Sequence, residues 1–396
     1  MNTPRIRRPP RPAAGVAEAH ALREIIARFP TIHDLRASAD WGAFERRLHA
    51  ILDTPRRYEA IEPPSPPRDA SALRVVHWNV EHGNWYDQIE RALMEHPALT
   101  SADIVMCNEI DLGMARAGNR DVTGDLAEAL GLHAVYAPLF IESTLGRDDD
   151  AVTAAGRDNQ ESLFGIAVLS RWPIGQVRLV PLPGPEEIQF DLERMYGRFV
   201  GLVCEILRPG APFLAISAHL EVHRTREHRA AQMRVLLRAI AHETQPVVLA
   251  GDFNTHTFDR GLWHSTFSGA LPLLTWFDGP LRERLLHPDR GANREPLFDA
   301  LSQAGFAWAP FVDFAPTLRV RFDRLDEVNQ MPAPLRALVH RGLGWLERRA
   351  QLRLDWICAR GFRPVKSGGS GLTVHGLDGA GLASDHAPLV AELALP

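Results

Sequence analysis

Two polar side chains follow one of the most apolar segments of the chain. The sequence VVLAG at 247–251 leads directly into Asp252 and Asn254, a carboxylate and a carboxamide two residues apart. In a β-strand, residues i and i+2 face the same side, so these two side chains are expected to project together. Both residue types are unfavourable in strands and favoured in turns. Taken alone, the pair leaves a simple turn and a functional site equally open.

Polar residues also stand at the ends of other apolar segments. They are Asn79 and Glu81, Glu109, His219, Asp355, and Asp385 with His386. Oxygen donors with no cysteine among them suit a hard cation such as Mg²⁺ or Mn²⁺. Two imidazoles near carboxylates suit proton transfer and stabilisation of a developing negative charge. The set predicts hydrolysis of a phosphoester, which needs a metal, a group to aim water, and donors for the phosphoryl oxygens.

The segments that must position these residues alternate between strand and helix patterns. Near-continuous apolar runs, such as LRVVHWNV at 73–80 and FGIAVLS at 164–170, are typical of strands buried on both faces. Helical periodicity occurs between them, at 87–96, 122–131, 226–243 and 295–305. The alternation predicts an α/β protein with two sheets packed face to face and helices outside. A single doubly wound sheet is the alternative.

Composition excludes several classes of protein. The net charge of −5 argues against a surface built entirely for nucleic acid, although a local basic cleft stays open. Cys107, Cys204 and Cys358 lie in apolar runs, which favours buried thiols over a disulfide framework or a metal cage. No apolar run reaches the 18 residues that a membrane span requires. We expect a cytoplasmic protein without a membrane span.

Changes in composition divide the chain into four parts. Residues 1–15 predict a flexible basic tail, and residues 16–62 a helical segment. Prolines at 63–72 form a linker that cannot continue a helix. The main domain follows at 73–396. Within it, a Trp-, Phe-, Pro- and Arg-rich stretch at about 255–349 predicts an ordered insertion beside the site.

Seven short motifs occur in a fixed order along the main domain. They are WNVEHG, NEID, GIAVLSRWPI, SAHLE, GDFN, LDWI and SDH. In these motifs the chain resembles the endonuclease/exonuclease/phosphatase superfamily, a group of deoxyribonuclease-like, metal-dependent phosphoesterases, over residues 73–396. The resemblance implies a four-layer αββα sandwich of two mixed β-sheets with helices outside. It also implies that residues from Asn79 to His386 build one site in one domain.

The resemblance implies the following metal site. Glu109 resembles the principal metal ligand, and Asn79 beside it resembles a residue that holds phosphate or a metal-bound water. Asp385 corresponds to the metal side, and Glu81 to an additional outer-sphere contact. His77 shares the face of Asn79 by strand alternation, which favours a surface or supporting role over ligation.

The catalytic roles also follow from the resemblance. Asp252 resembles the residue that orients or deprotonates the attacking water, and Asn254 a donor to the phosphoryl oxygens. His386 resembles the histidine that contacts the scissile phosphate, with Asp355 fixing its tautomer. His219 resembles a second histidine that donates to the phosphate or the leaving group.

Two further candidates come from neighbouring segments. Glu161 precedes FGIAVLS and is the candidate partner of His219. Arg224, with His223 and Arg226, is the candidate basic lip that contacts extra substrate phosphates. A solvated helix face with i,i+4 ion pairs explains the same arginines equally simply.

The substrate is a phosphoester whose identity the sequence leaves open. We expect a phosphodiesterase; a phosphomonoesterase, a nuclease, or an inert relative that only binds a phosphorylated ligand are the alternatives. The acidic net charge and the lack of a continuous basic stripe do not favour nucleic acid. The aromatic insertion suits a smaller or partly apolar substrate, such as a phospholipid head group.

Overall fold

The computed structural model describes residues 5–11, 13–61, 67, 71–146, 148–184, 194–222, 224–256, 271–292, 294–319, 344–366, 369–378 and 382–395. Most of the expected linker at 63–72, much of the expected insertion at 255–349, and His223 lie outside these residues.

A large mixed sheet forms one half of the core. In spatial order its strands are β1 (Ile6–Arg7), β2 (Arg56–Ala60), β5 (His133–Glu142), β6 (Leu163–Ser170), β4 (Ile104–Leu112), β3 (Ala72–His82), β17 (Leu389–Ala394) and β15 (Arg363–Pro364), while β8 (Met195–Gly197) pairs with β5 and β16 (Gly371–Thr373) with β17. Strands β3 and β4 are parallel, and β17 runs antiparallel to β3.

A smaller mixed sheet packs against the first. Its spatial order is β14 (Asp355–Arg360), β11 (Val247–Asp252), β10 (Phe213–Ala218), β9 (Val200–Ile206) and β7 (Ile174–Pro181). Strands β10 and β11 are parallel, and β14 is antiparallel to β11. A two-stranded ribbon, β12 (Leu318–Arg319) with β13 (Gln351–Leu352), forms a separate small sheet.

Most of the helices pack against the outer faces of the two sheets, while the helix Asp278–Leu286 packs against the ribbon. They are α1 (Ala13–Ala27), α2 (Ile32–Ala37), α3 (Trp41–Leu52), α4 (Tyr86–Glu95), α5 (Val122–Leu130), α6 (Asp148–Ala154), α7 (Arg226–Ala239), α8 (Asp278–Leu286) and α9 (Leu297–Gln303). One apolar core joins the two sheets with α7 and α9, and a second joins the large sheet with the helices of the first 130 residues. The fold is a four-layer αββα sandwich, as the sequence predicted.

Continuous apolar runs in the sequence identify the fully buried strands but miss a strand that is only half-buried. The apolar runs at 73–80, 102–110 and 247–252 correspond to buried strands. Strand β7, with sequence IGQVRLVP, is half-buried along its length and shows no continuous apolar run. A strand at the edge of a sheet needs fewer apolar side chains, and for this reason the sequence gives little sign of it.

The N-terminal segment is part of the sandwich. Strand β2 pairs with β5, and β1 pairs with β2 at the edge of the large sheet. Phe44 and Leu48 of α3 are completely buried in the core beneath that sheet. The tail expected at 1–15 is therefore corrected for the residues described there: β1 is ordered by pairing, α1 begins at Ala13, and Arg8 forms an ion pair with Asp125.

The described part of the expected insertion is ordered and touches the site. Thr317 Oγ1 accepts hydrogen bonds from the backbone N–H groups of Leu354 and Asp355. Leu318 forms an isolated bridge with His386. Both contacts place residues 317–318 directly against the segments that carry Asp355 and His386.

The described residues contain neither a disulfide nor a helix that could span a membrane. Cys107, Cys204 and Cys358 are buried free thiols, as predicted, and burial raises the pKa of Cys107 to about 12. Throughout the described ranges, no helix combines the length and apolar character that crossing a bilayer demands.

Candidate active site

The topology brings the predicted site residues to one edge of the sandwich. Parallel strands end at the same edge of a sheet, and an antiparallel neighbour begins there. Asn79 and Glu109 therefore lie near the ends of β3 and β4, and Asp252 ends β11. Asp355 begins β14 directly opposite Asp252, and His386 precedes β17.

A close approach of two backbones fixes the position of Asp252. A Cβ atom at Gly251 would lie 1.7 Å from the carbonyl oxygen of Ala218, so only glycine fits there. The chain then continues from Ala218 into His219 and from Gly251 into Asp252. The glycine of the GDFN motif thereby lets the histidine and the carboxylate lie side by side.

Asn79 joins the two carboxylates at the centre of the site. Its Nδ2 donates to Oε1 of Glu109 at 2.8 Å and to Oδ2 of Asp252 at 3.2 Å. The backbone N–H of Glu81 donates to Oδ1 of Asn79 at 3.2 Å and thus orients the amide. Asn79 is buried, so the contacts are shielded from competing water.

The backbone around Glu109 is unusual for a strand. The pairing of β3 with β4 shifts between Asn79 and His82, and the pairing of β4 with β6 shifts between Cys107 and Ile110. Glu109 and Glu81 both have positive φ, at 50° and 44°. Positive φ is uncommon outside glycine, and β-bulges of this kind redirect side chains beside active sites. Here they direct Glu109 toward Asn79.

Asp252 is held by its own turn and by the opposite sheet. Its Oδ1 accepts the backbone N–H of Asn254 at 2.9 Å, and its backbone N–H donates to Oδ1 of Asn108 at 2.7 Å. Asn108 also donates to Oγ of Ser217 at 3.1 Å. The side chain of Asn254 donates to the carbonyl of Leu220 at 2.8 Å. Oδ2 of Asp252 therefore faces the site.

Asp355 bridges two histidines. Its Oδ2 lies 2.7 Å from Nδ1 of His386, and its Oδ1 lies 2.9 Å from Nε2 of His77. The carboxylate and the His77 ring are almost completely buried. This contact turns Nε2 of His386 toward the site, 3.8 Å from Oδ2 of Asp252.

His219 completes the ring of polar groups. Its Nε2 lies 3.8 Å from Oε1 of Glu109 and 3.9 Å from Oδ2 of Asp252. Phe164 and Phe199 pack at ring-centroid distances of 6.3 and 6.2 Å. Burial lowers the pKa of His219, against the opposing effect of Asp252.

The charges in the site suit a cation. Burial, with the nearby charges of Asp385 and Asp252, raises the pKa of Glu109 to about 8. Burial and the charge of Asp355 raise the pKa of Asp252 as well. Ligand atoms of Glu109, His219 and Asp252 all lie within 4.8 Å of one another. Mutually repelling carboxylates around a space with an imidazole fit a divalent cation, which would keep them ionised.

His386 has the opposite electrostatic surroundings. Burial alone would lower its pKa, but Asp355, Asp385 and Asp252 outweigh burial and raise the pKa well above the usual value. Asp355 in turn loses its proton more readily, since the charge of His386 and hydrogen bonds from both histidines outweigh burial and lower its pKa. Both pKa shifts favour an imidazolium beside a carboxylate.

The structure corrects the expected role of Glu161. Nε of Arg11 donates to Oε1 of Glu161 at 2.7 Å, and Nη2 of Arg11 lies 2.5 Å from Oε2. Glu161 thus pairs with the N-terminal segment, while His219 faces Glu109 and Asp252. An arginine fork binds both oxygens of one carboxylate, which leaves no reason for Glu161 to turn toward the histidine.

The remaining candidates lie at the margin. Asp385 is half-buried next to His386, and its charge acts on Glu109. Arg224 is exposed in the loop before α7, and its carbonyl accepts a hydrogen bond from Arg229. Arg226 contacts its sequence neighbour Glu227, which is not one of the i,i+4 ion pairs expected of a solvated helix face.

Two residues, Asn108 and His77, contact site residues in ways that the sequence did not predict. Asn108 was not among the expected site residues, although an amide inside the apolar strand IVMCNEI is the kind of signal that reveals a buried polar link. His77 was placed only on the face of Asn79. Its contact with Asp355 joins residues 278 positions apart, which no local pattern discloses.

A sequence model of the Endonuclease/Exonuclease/phosphatase family matches residues 76–386. The chain belongs to this family. None of the curated proteins compared with the chain matches it.

Several solved structures are similar to this member of the family. An endonuclease/exonuclease/phosphatase from Beutenbergia cavernae is 19% identical, with 82% of this chain and 72% of that chain covered and a TM-score of 0.48. A 3′-5′ exonuclease from Neisseria meningitidis is 15% identical over 81% of this chain and 100% of its own, with a TM-score of 0.44. An AP endonuclease from Archaeoglobus fulgidus is 14% identical over 81% and 98%, with a TM-score of 0.45.

Proposed function

We propose that the protein is a divalent-metal-dependent phosphodiesterase that hydrolyses its substrate by in-line attack of water. The observation that supports this most directly is the convergence of Glu109, Asp252 and His219 opposite the Asp355–His386 pair. One side of the space carries carboxylates, and the other an imidazolium. A phosphoester undergoing attack needs both.

The oxygen donors on the large-sheet side would hold the metal. Glu109 and Asp385 are the proposed direct ligands, Asn79 is proposed to complete the metal site by holding a metal-bound water or the phosphate, and Mg²⁺ is the proposed ion, with Mn²⁺ as a substitute. When bound, the cation polarises the phosphoryl oxygens. Asn79 keeps its amide toward Glu109 because the N–H of Glu81 fixes the other end. Glu81 acts through this backbone contact.

The remaining residues handle water and the phosphoryl charge. Oδ2 of Asp252 orients the attacking water, while Oδ1 is occupied by the N–H of Asn254. Nε2 of His386 donates to the phosphoryl oxygens, supported by Asp355 at Nδ1. Asn254, through the second hydrogen of its amide, and His219 are the further donors to the phosphate or the leaving group.

Hydrolysis of two simple esters tests the proposal. Purified protein is assayed with Mg²⁺, and separately with Mn²⁺, on bis(p-nitrophenyl) phosphate and on p-nitrophenyl phosphate. We expect metal-dependent hydrolysis with a preference for the diester, abolished by chelator. Asp252→Ala is expected to lose at least about a hundredfold in kcat, because a group that aims the nucleophile contributes on that scale.

The outcomes separate the related activities. A preference for the monoester would make the protein a phosphatase, and cleavage of plasmid DNA in preference to both small esters would make it a nuclease. Activity that persists in chelator, or that Asp252→Ala leaves unchanged, refutes the mechanism. No hydrolysis of any of the three substrates would favour a relative that only binds its ligand.

A further inference from the structure

His77 is a buried histidine whose two ring nitrogens both face oxygen acceptors. Nε2 lies 2.9 Å from Oδ1 of Asp355, and Nδ1 lies 3.2 Å from the carbonyl oxygen of Met106. The ring is completely buried. Met106 is the pairing partner of His77 across β3 and β4, so its carbonyl is a fixed point of the sheet. The ring is held in one orientation and directed at the other sheet.

The contact completes a chain of groups that ends at the site. Asp355 has one oxygen on His77 and the other on Nδ1 of His386. Its backbone N–H donates to Thr317. A carboxylate held at only one oxygen can rotate about its terminal bond, whereas one held at both cannot. His77 therefore removes the rotation that would otherwise carry Oδ2 away from His386.

We propose that His77 is a positioning residue for hydrolysis: by donating from Nε2 to Asp355, it holds that carboxylate in the orientation that fixes the ring of His386. This inference rests on the proposed phosphodiesterase function. His77 itself lies behind Asp355 and does not touch the substrate. Its effect on the reaction passes entirely through Asp355 and His386.

Two substitutions of similar polarity distinguish the two ring nitrogens. In His77→Gln the amide nitrogen can occupy the place of Nε2 and still donate to Asp355. In His77→Asn the amide nitrogen lies where Nδ1 was and reaches only Met106. Both variants keep one polar contact, so both are expected to fold. Loss of a group that orients a catalytic residue typically costs about 10- to 100-fold in activity.

We therefore expect His77→Asn to lower kcat by roughly 10- to 100-fold with KM within about twofold of wild type. His77→Gln should restore kcat to within about threefold of wild type. Tyr58→Phe is the matched control, because Tyr58 donates a buried 2.7 Å hydrogen bond to Asp121 and lies on β2, which three strands separate from the β3 strand of His77. It should lower the melting temperature and leave kcat unchanged.

A double-mutant cycle tests whether the effect passes through His386. In a His386→Ala background, His77→Asn should cause no further loss of kcat, because the residue it positions is gone. A loss of the same size in both backgrounds would overturn the proposal, as would an active wild type whose kcat His77→Asn leaves unchanged. A low kcat in both His77→Asn and His77→Gln would show that the ring is needed only for packing, which also overturns it.

An NMR measurement makes the result independent of the substrate. The Nδ1 proton of His386, hydrogen-bonded to Asp355, is observed in protein labelled with ¹⁵N-histidine. We expect its signal in wild type and His77→Gln and its loss in His77→Asn. If wild type hydrolyses none of the esters, the proposed function fails, yet this signal still decides whether His77 positions His386. An unchanged signal in His77→Asn refutes the inference.

Discussion

Replacement of Asp355 by asparagine tests the electrostatic centre of the site. A carboxylate offers two acceptor oxygens, and both are used, on His77 and on His386. An amide of the same shape offers only one acceptor. Asp355→Asn must therefore leave one imidazole N–H opposite an NH₂ group. It also removes the negative charge that keeps His386 protonated.

The size of the effect follows from the distance. Nδ1 of His386 lies 2.7 Å from Oδ2 of Asp355, which places the two charge centres roughly 4 Å apart. At an effective dielectric constant of about 20, that pair is worth about 4 kcal/mol, or roughly three powers of ten in rate. The charges of Asp385 and Asp252 remain and compensate in part. We expect kcat to fall by about 10²- to 10³-fold.

The assay follows kcat and KM on bis(p-nitrophenyl) phosphate across a range of pH. Without the Asp355 charge, the pKa of His386 falls toward its usual value, so the imidazolium is lost as pH rises. With Mg²⁺ kept saturating at every pH, the residual kcat of Asp355→Asn should accordingly increase as pH is lowered, whereas wild type holds its imidazolium through neutral pH.

A second buried carboxylate provides the control. Asp103 accepts hydrogen bonds from Arg171 at 2.6 Å and from the backbone of Arg74 at 2.8 Å, at the opposite ends of β4 and β3. Asp103→Asn should destabilise the protein comparably and leave kcat unchanged. If Asp355→Asn retains kcat within tenfold of wild type, or shows the wild-type pH profile, the charge on His386 is not what the reaction uses.

Three further predictions follow from the same structure. Burial and neighbouring charges raise the pKa of Glu109 to about 8, so below that pH a cation must displace a proton from Glu109 in order to bind. Calorimetry should therefore show that Mg²⁺ affinity falls by about tenfold for each pH unit below 8. Equal affinity at pH 6.5 and 8.5 would contradict this. Glu295→Gln should lower the free energy of unfolding, measured in urea, by about 3–5 kcal/mol, because it leaves the fully buried Arg229 without its counter-charge. Glu283→Gln, in an exposed ion pair, should lower the free energy of unfolding by less than about 1 kcal/mol. Equal losses of stability in the two variants would refute the argument. Leu48→Ala in the N-terminal segment should cost about 2–5 kcal/mol, because the side chain is fully buried under the large sheet, and an unchanged melting temperature would show that this segment does not support the sandwich.

The fold could be predicted from the sequence for those strands whose side chains are completely buried. Strands such as β11 and β4 are apolar on both faces, and their carboxyl ends carry the polar residues, so layer order and site edge both follow from local pattern. Strand β2, with sequence RRYEA, shows no such pattern. It is a strand because the edge of β5 is available to pair with it, which is a property of the folded sheet.

Local sequence patterns cannot predict which distant residue a charged side chain will contact. Glu161 lies close to the FGIAVLS strand in sequence, which suggested a role in the site. Arg11, 150 positions away, takes both of its oxygens instead. The partner of a charged side chain is decided by what the completed fold brings near it, and an N-terminal segment that docks on the sandwich changes that answer.

The two sheets each carry half of the site, and buried polar contacts hold the halves together. Asn79 and Glu109 lie in the large sheet, and His386 lies just before its strand β17. Asp252 and Asp355 lie in the small sheet, and His219 directly follows its strand β10. Apolar packing between sheets is non-directional and tolerates small shifts. Hydrogen bonds do not, because a buried donor that loses its acceptor costs about 1–3 kcal/mol.

Besides the contacts of Asn79 with Asp252 and of His386 with Asp355, two further buried links cross the interface beside the site. Asn108 of β4 binds Ser217 and the backbone of Asp252, and His77 of β3 binds Asp355. Their removal from water opposes folding, and apolar residues would fill the same space without that cost. The polar links fix the position of one sheet relative to the other, because sliding one sheet over the other would break these hydrogen bonds first. The distance from Glu109 to Asp252 therefore depends on Asn108 and His77 as well as on Asn79, which bonds both carboxylates.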